Sequence, residues 1–405
     1  MNNVNEERQY ISKKIPLNAT VLLFVVAIIL FAATLRAPLT SVGPITSFIR
    51  GDLGISYSLA GFLTTIPLLA FAIVSPFAPK VARHFGMEWT LFWSLVLLGI
   101  GIILRSLGFT STLLVGTALI GIAIAFGNVL FPSFFKMKYP LHIGILTGIY
   151  TVSMNLSSGL SAGISYPIAK SSVSWQGALG ASIIMVACAL LLWLPQLKGK
   201  KVALSRSAEK VLSWRYFFTS PLAIAIMLVM GLQSFIFYSA AAWIPEMFIA
   251  QDFDAEKAGW LVTVSHISQI PFTFITPIIA SRMNNQRPIV VMFTICYLIG
   301  FTGIVMEWSD YAFIWMMFIG FASGSSFGLS MIFFTLRTKT AYEAAEISGF
   351  AQSLGYLIAA AGPFLFGFLK DITGSFFVPS LIFIVVAFIL FAFGFVAANN
   401  KLIRQ

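Results

Sequence analysis

The sequence predicts an all-α polytopic membrane protein, with twelve transmembrane helices in two pseudo-symmetric six-helix bundles. Three observations predict it: a composition too apolar for water, twelve apolar windows of membrane length, and an echo between the two halves. Of 405 residues, 59% are hydrophobic and only 10% charged, against roughly 25% charged in soluble domains. No soluble core hides that much apolar surface, so the surplus faces lipid.

A bilayer core takes about 20 apolar residues per helix. Windows of that kind lie near 17–48, 57–79, 88–107, 111–135, 143–168 and 174–195, and again near 220–244, 258–281, 288–306, 311–336, 347–369 and 376–397. The polar residues 1–16 read as an N-terminal tail, not a cleavable signal sequence. Residues 196–219 form the longest polar connection, so 17–195 and 220–397 are the expected bundles, with 398–405 a C-terminal tail. The second span, "AGFLTTIPLLAFAIVSPFAPKVAR", and the eighth, "AGWLVTVSHISQIPFTFITPIIASR", share an Ala-Gly start, internal prolines and a terminal arginine. The fourth and tenth both place a basic residue nine positions after a glycine, Gly127 to Lys136 and Gly328 to Arg337. Duplicated halves of this kind are common in secondary transporters, which bind substrate between them near mid-membrane.

Loop charges set the orientation. Cytoplasmic termini put 19 of the 25 Lys and Arg inside, among them Lys80, Arg83, Lys136, Arg282, Arg337 and Lys339, and five outside: Arg50, Arg105, Lys170, Lys257 and Lys370. The net charge of +11 is therefore membrane topology and gives no sign of nucleic acid. The remaining cation, Arg36, lies inside "ATLRAPLTSVGPI" (33–45).

A charge inside a span is costly and faces a protein cavity or pairs there. A helix over 17–48 would be about 48 Å long, so Pro38 and Gly43-Pro44 are expected to bend it. Pro38 leaves the Thr34 carbonyl without its usual donor, and Pro44 does the same to Thr40. Arg36, Thr40 and Gly43 fall on one helix face, which reads as a cavity wall. The acids nearest the spans, Glu246, Glu307, Glu343 and Glu346, fall at span ends, so a substrate anion is the expected counter-ion. From facing spans we expect Asn155 in the fifth, Gln233 and Tyr238 in the seventh, His266 and Gln269 in the eighth, and Tyr356 in the eleventh. Thr273, Tyr150 and Gln352 are weaker candidates. His266 is the one histidine in a span and the evident proton carrier. The glycine and serine run at 155–167 is expected to let helices approach closely.

Cys188 and Cys296 sit in apolar runs and point to neither a disulfide nor a metal. The sequence holds no P-loop, metal-ligand cluster, paired carboxylates or triad spacing, so no cofactor and no enzyme activity are expected, and a monomer is expected to suffice.

The stretches "LRAPLTSVGPI" (35–45), "DLGISYSLAGFLTTIPLLAFAIVSPFAPKVARHFG" (52–86) and "MGLQSFIFYSAAAWIPEM" (230–247) resemble the major facilitator superfamily, and within it the cyanate permease and 2-nitroimidazole transporter family. The resemblance implies a secondary transporter in the cytoplasmic membrane working by alternating access. Its substrate would be a small cyanate-like anion or weak acid anchored by Arg36, or alternatively an exported planar nitro-heterocycle; coupling to protons is open. A channel or membrane-embedded receptor is the reading from another class. One departure stands out. Where the superfamily carries Gly-x-x-x-Asp-Arg-x-Gly after its second span, this chain has Pro79-Lys80-Val81-Ala82-Arg83-His84-Phe85-Gly86. Arg83 replaces the acid that usually latches this end, leaving its closure unassigned.

Overall fold

Proline placement and glycine spacing decide where these apolar runs break and how closely they pack. The structure, a computed structural model, describes residues 19–55, 57–197, 214–253 and 255–403. Every regular element among them is a helix. The tail at 1–16 and residues 198–213 of the central connection lie outside the described residues.

The first six spans are Ala19–Thr34 continued by Ala37–Thr40, Tyr57–Val74 with Ala78–Phe85, Met87–Arg105, Thr110–Lys138, Ile143–Lys170, and Ser174–Gly180 with Ser182–Leu197. The last six are Pro221–Ile249, Ala255–Arg282, Arg287–Val305, Ala312–Leu336, Ala341–Thr373 and Phe377–Ala397. Among the described residues ten helices are long and apolar enough to cross a membrane, and the second span adds an eleventh, bent by 58° between Val74 and Ala78. The fifth is less apolar but has 28 residues, about 42 Å at 1.5 Å per residue. Twelve spans result. The eleventh opens on a capping box between Thr340 and Glu343 and closes at left-handed Gly374, so its bounds are written locally.

The halves repeat in three dimensions. A Cβ on Gly101 would lie 2.9 Å from Ile120, and one on Gly300 2.6 Å from Ile319. Each pair locks its third-type span onto its fourth-type neighbour, and the pairs lie 199 positions apart (300 − 101, 319 − 120).

The bundles meet along two matching seams. A Cβ on Gly148 of the fifth span would fall 2.8 Å from the Phe274 carbonyl oxygen of the eighth. One on Gly349 of the eleventh would fall 2.7 Å from the Ser75 carbonyl oxygen at the bend of the second. Backbones touch because neither position has a side chain. Both glycines lie in the half of the molecule that carries Arg83, Lys136 and Arg337, here called the basic end. From Ile143 to Asn155 and from Ala341 to Tyr356 no residue of these two spans is exposed. Beyond those limits the fifth bares Leu156, Gly159, Leu160, Gly163 and Ile164, and the eleventh bares Leu357, Ala361, Leu365 and Phe368. The bundles are therefore joined at the basic end and more open at the other.

The bend expected from Pro38 is a break at Leu35-Arg36, just before the proline, because its ring crowds the preceding turn. Two expectations need correction. Gly159 and Gly163 have nothing within 4 Å of a Cβ, so the small-residue run does not pack helices through its glycines. Arg105 is not an exposed loop charge: it is 1% exposed at the end of the third span. The C-terminal tail also docks in part, with the Ile403 amide donating to the Arg337 carbonyl and Tyr216 donating to the Ile403 carbonyl, both at the basic end.

Candidate substrate site between the bundles

The break in the first span turns backbone carbonyls sideways, and neighbouring side chains collect them. Pro38 is the second residue of the short helix Ala37–Thr40, in the first turn, where a missing amide costs nothing. Ser157 donates to the Ala33 carbonyl at 3.1 Å and Ser161 to the Ala37 carbonyl at 2.8 Å. These serines lie one turn apart on the fifth span, matching the spacing of their acceptors. Arg105 donates to the Pro38 carbonyl at 2.6 Å. The Ala33 and Ala37 carbonyls also accept from the Arg36 and Ser41 amides, so the serines add a second bond to each, and the backbone at the break is satisfied by protein.

Arg36 projects from this break toward the other bundle. Its Nη1 donates to the Tyr238 hydroxyl at 3.1 Å, and its guanidinium carbon stands 5.8 Å from the centre of the Phe327 ring. No carboxylate partners it among the described residues. Placing a cation at mid-span costs at least about 2.5–3.5 kcal/mol. A hydrogen bond from a charged donor returns about 1.5–3 kcal/mol, and a ring face about 0.5–2. These terms come close to cancelling, so the protein alone gains little from Arg36.

The surrounding groups are neutral. Tyr238 accepts from Arg36, while its own proton finds no acceptor among the described residues. Tyr356 is buried against Phe71 with ring centres 5.0 Å apart, and its hydroxyl has no hydrogen-bond partner among them. Both phenols, and that of Tyr150, lie close enough to Arg36 to feel its charge. Tyr150 is otherwise engaged, donating to Asn128 at 3.2 Å and stacking on Phe131. A guanidinium, two phenols with uncommitted protons and a phenylalanine face make a donor-rich, aromatic cluster with no acid among the described residues.

The other expected residues divide. Asn155 bridges the bundles, its Nδ2 donating to Thr273 Oγ1 at 3.3 Å. His266 and Gln269 line a recess of the second bundle with Phe237, Ser265 and Ser323, and the rings of Phe237 and His266 are 5.9 Å apart. Gln233 is buried within its own bundle, donating to Ser234 Oγ at 2.7 Å and to the Met230 carbonyl, so it is not brought to Arg36. Thr40 turns its hydroxyl to the Ser158 carbonyl at 3.0 Å and serves the span contact. Gln352 crosses the seam to the Asn128 carbonyl at 3.0 Å. Sequence reasoning missed Phe327, and one phenylalanine among 40 carries no mark.

Closure of the basic end is assigned by geometry. Arg83 donates to Glu346 at 2.6 Å, joining the second span to the eleventh, and lies over the Tyr342 ring. The latch exists with its cation in the first bundle and its acid in the second. Lys136, at the end of the fourth span, donates to the Thr335 carbonyl at 2.7 Å and to both the carbonyl and the hydroxyl of Thr338. It therefore caps the tenth span of the other bundle.

Residues 20–363 match the model of the Major Facilitator Superfamily. The chain is 42% identical to an uncharacterized transporter, YycB, of Bacillus subtilis, over 94% of both chains. It is 35% identical to the 2-nitroimidazole transporter of Escherichia coli, over 95% of this chain and 97% of that one. To the cyanate transport protein CynX of the same organism it is 25% identical, over 86% and 90%. The proton:xylose symporter XylE has the same fold, with a TM-score of 0.75 at 14% identity over 95% of this chain and 98% of that one. The chain is a transporter of the major facilitator superfamily, in the group that holds the 2-nitroimidazole and cyanate transporters.

Proposed function

We propose that this transporter carries a small anion or weak acid by alternating access, anchored at Arg36. One observation carries the reading: a mid-span guanidinium whose side-chain contacts are a phenol and a ring face, with no acid among the described residues. Its fork suits two coplanar oxygens, and the free protons of Tyr238 and Tyr356 supply further donors. A cationic drug would find no counter-charge here.

A second reading follows from the aromatic lining. Phe327 offers a ring face beside the cation and Tyr238 a hydroxyl, which suits a planar nitro-heterocycle, and the 2-nitroimidazole transporter is a nearer relative than the cyanate protein. In both readings Arg36 meets a delocalised, oxygen- or nitrogen-rich group. We further propose that the basic end is cytoplasmic, making the conformation seen here closed inward and more open outward. Thiols introduced at Lys200 and Ala398 should then react only from inside, and one at Asp254 only from outside.

Calorimetric titration of purified protein with cyanate and with 2-nitroimidazole tests the reading. Arg36→Lys separates the two, because an ammonium keeps the charge and loses the fork. It should weaken a nitro group's two-point contact about tenfold more than an end-on contact to cyanate. If Arg36→Lys leaves unchanged the affinity of every compound that binds the wild-type protein, the reading is wrong.

A further inference from the structure

Arg105 is a second arginine inside the first bundle, and the contacts of Arg36 do not account for it. It closes the last turn of the third span and is 1% exposed. Its Nη1 donates to the Pro38 carbonyl at 2.6 Å, while Nε and Nη2 are buried with no hydrogen-bond partner among the described residues. A buried cation with one neutral acceptor stabilises no fold by itself, since desolvation outweighs a single bond. An orphaned buried donor in a native structure calls for a reason beyond stability.

The location supplies one. Pro38 stands two residues beyond Arg36, inside the four-residue helix that follows the break. Ser157 and Ser161 hold the fifth-span side of that break. Arg105 holds the third-span side, reached because the third and fourth spans meet at Gly116, where a Cβ would lie 2.8 Å from the Arg105 Cα. The break is thus clamped from two directions. A helix relieved of one clamp has room to straighten or rotate, and either motion re-aims the residue at its corner.

We propose that Arg105 is a positioning residue for Arg36: by gripping the Pro38 carbonyl it fixes the break that points Arg36 between the bundles. Its significance for transport rests on the anchor reading above, whereas its effect on geometry does not. The test separates the two. In a chain whose Cys188 and Cys296 are replaced by serine, Arg36→Cys is reacted with a sulfonate-bearing methanethiosulfonate reagent, with and without Arg105→Met. The second change should alter the labelling rate about tenfold, and Arg105→Lys about threefold, because an ammonium restores only part of the guanidinium's reach. In chains that keep Arg36, the same two changes should weaken binding of whichever of cyanate and 2-nitroimidazole the wild type takes, in the same order. Unchanged labelling in Arg105→Met overturns the proposal. Should that variant not fold, unchanged labelling in Arg105→Lys overturns it equally. Altered labelling with undiminished ligand affinity upholds the positioning and instead refutes Arg36 as the anchor.

Discussion

The first and seventh spans occupy equivalent places in the two halves and are built differently. The seventh runs unbroken from Pro221 to Ile249 and presents a neutral hydroxyl, Tyr238. The first is interrupted at Leu35-Arg36 and presents a charge. They touch where Arg36 meets Tyr238, 202 residues apart, close to the 198 and 201 that separate Ala60 from Ala258 and Gly127 from Gly328 (258 − 60, 328 − 127). The difference teaches where symmetry is kept and where it is spent. Gly148 and Gly349 repeat, each letting its span rest on a carbonyl of the other bundle. Arg36 does not repeat, and two facing cations would repel each other.

The same contrast recurs at the basic end. Lys136 and Arg337 are equivalent by sequence, yet Lys136 reaches across to the other bundle. Arg337 stays in its own, donating to the Ala397 carbonyl at 2.9 Å, the Ala398 carbonyl at 3.0 Å, and Gln286. On the reading proposed above, Lys136 is a gate contact, whereas Arg337 is a cap for the twelfth span. Together, Arg83–Glu346 and Lys136 are worth a few kcal/mol at most. That is the right size for a gate, because states a few kcal/mol apart remain interconvertible.

The largest break in the comparison comes from its symmetric part. Gly148→Trp and Gly349→Trp should each abolish uptake into proteoliposomes, since an indole cannot fit where a Cβ already meets backbone. Both proteins should stay folded, with the basic end held open to thiol reagents. If either variant transports normally, the seams are not sliding surfaces.

Next in size is the asymmetric pair. Arg337→Gln strips donors from buried carbonyls and should destabilise the protein by about 2–4 kcal/mol, seen as a lowered melting temperature. Lys136→Gln should leave melting nearly unchanged and raise thiol accessibility at the basic end. Equal melting losses in both would erase the distinction between gate and cap. A smaller effect is expected from the latch itself. Glu346→Gln should open the basic end several-fold, about 1 kcal/mol for a partly exposed pair, and the swap Arg83→Glu with Glu346→Arg should recover part of the closure. Ser157→Ala is the mildest change: one interhelical hydrogen bond in a membrane averages about 0.6 kcal/mol, roughly a threefold effect on affinity if it loosens the break.

Much of this was legible in the sequence, and the reasons are physical. The spans are visible because lipid imposes length and apolarity on each one independently. Arg36 is visible because a cation in such a run has no neutral explanation. Arg105 looked like an orientation charge because a helix's last residue and a loop's first are chemically alike on paper; only packing shows that it is sealed. Arg83 and Glu346 lie 263 residues apart, and no local pattern links them. Ser157 and Ser161 stood in plain view at helical spacing, but their acceptors, the Ala33 and Ala37 carbonyls, lie 124 residues away in sequence, so nothing local marks the pairing. Phe327 and the uncommitted phenols are ordinary aromatic residues until folding brings them to a charge.

The central claim is that Arg36 belongs to the ligand and not to the fold. Its direct test is calorimetric titration of Arg36→Ala with whichever of cyanate and 2-nitroimidazole binds the wild-type protein, alongside thermal melting of the same sample. Losing one partner of a buried charged contact costs about 2–5 kcal/mol, so affinity should fall roughly 30-fold to several thousand-fold. The melting temperature of the empty protein should hold or rise, because an unpaired buried cation has been removed. Unchanged affinity, or a collapse in melting temperature, would contradict the account.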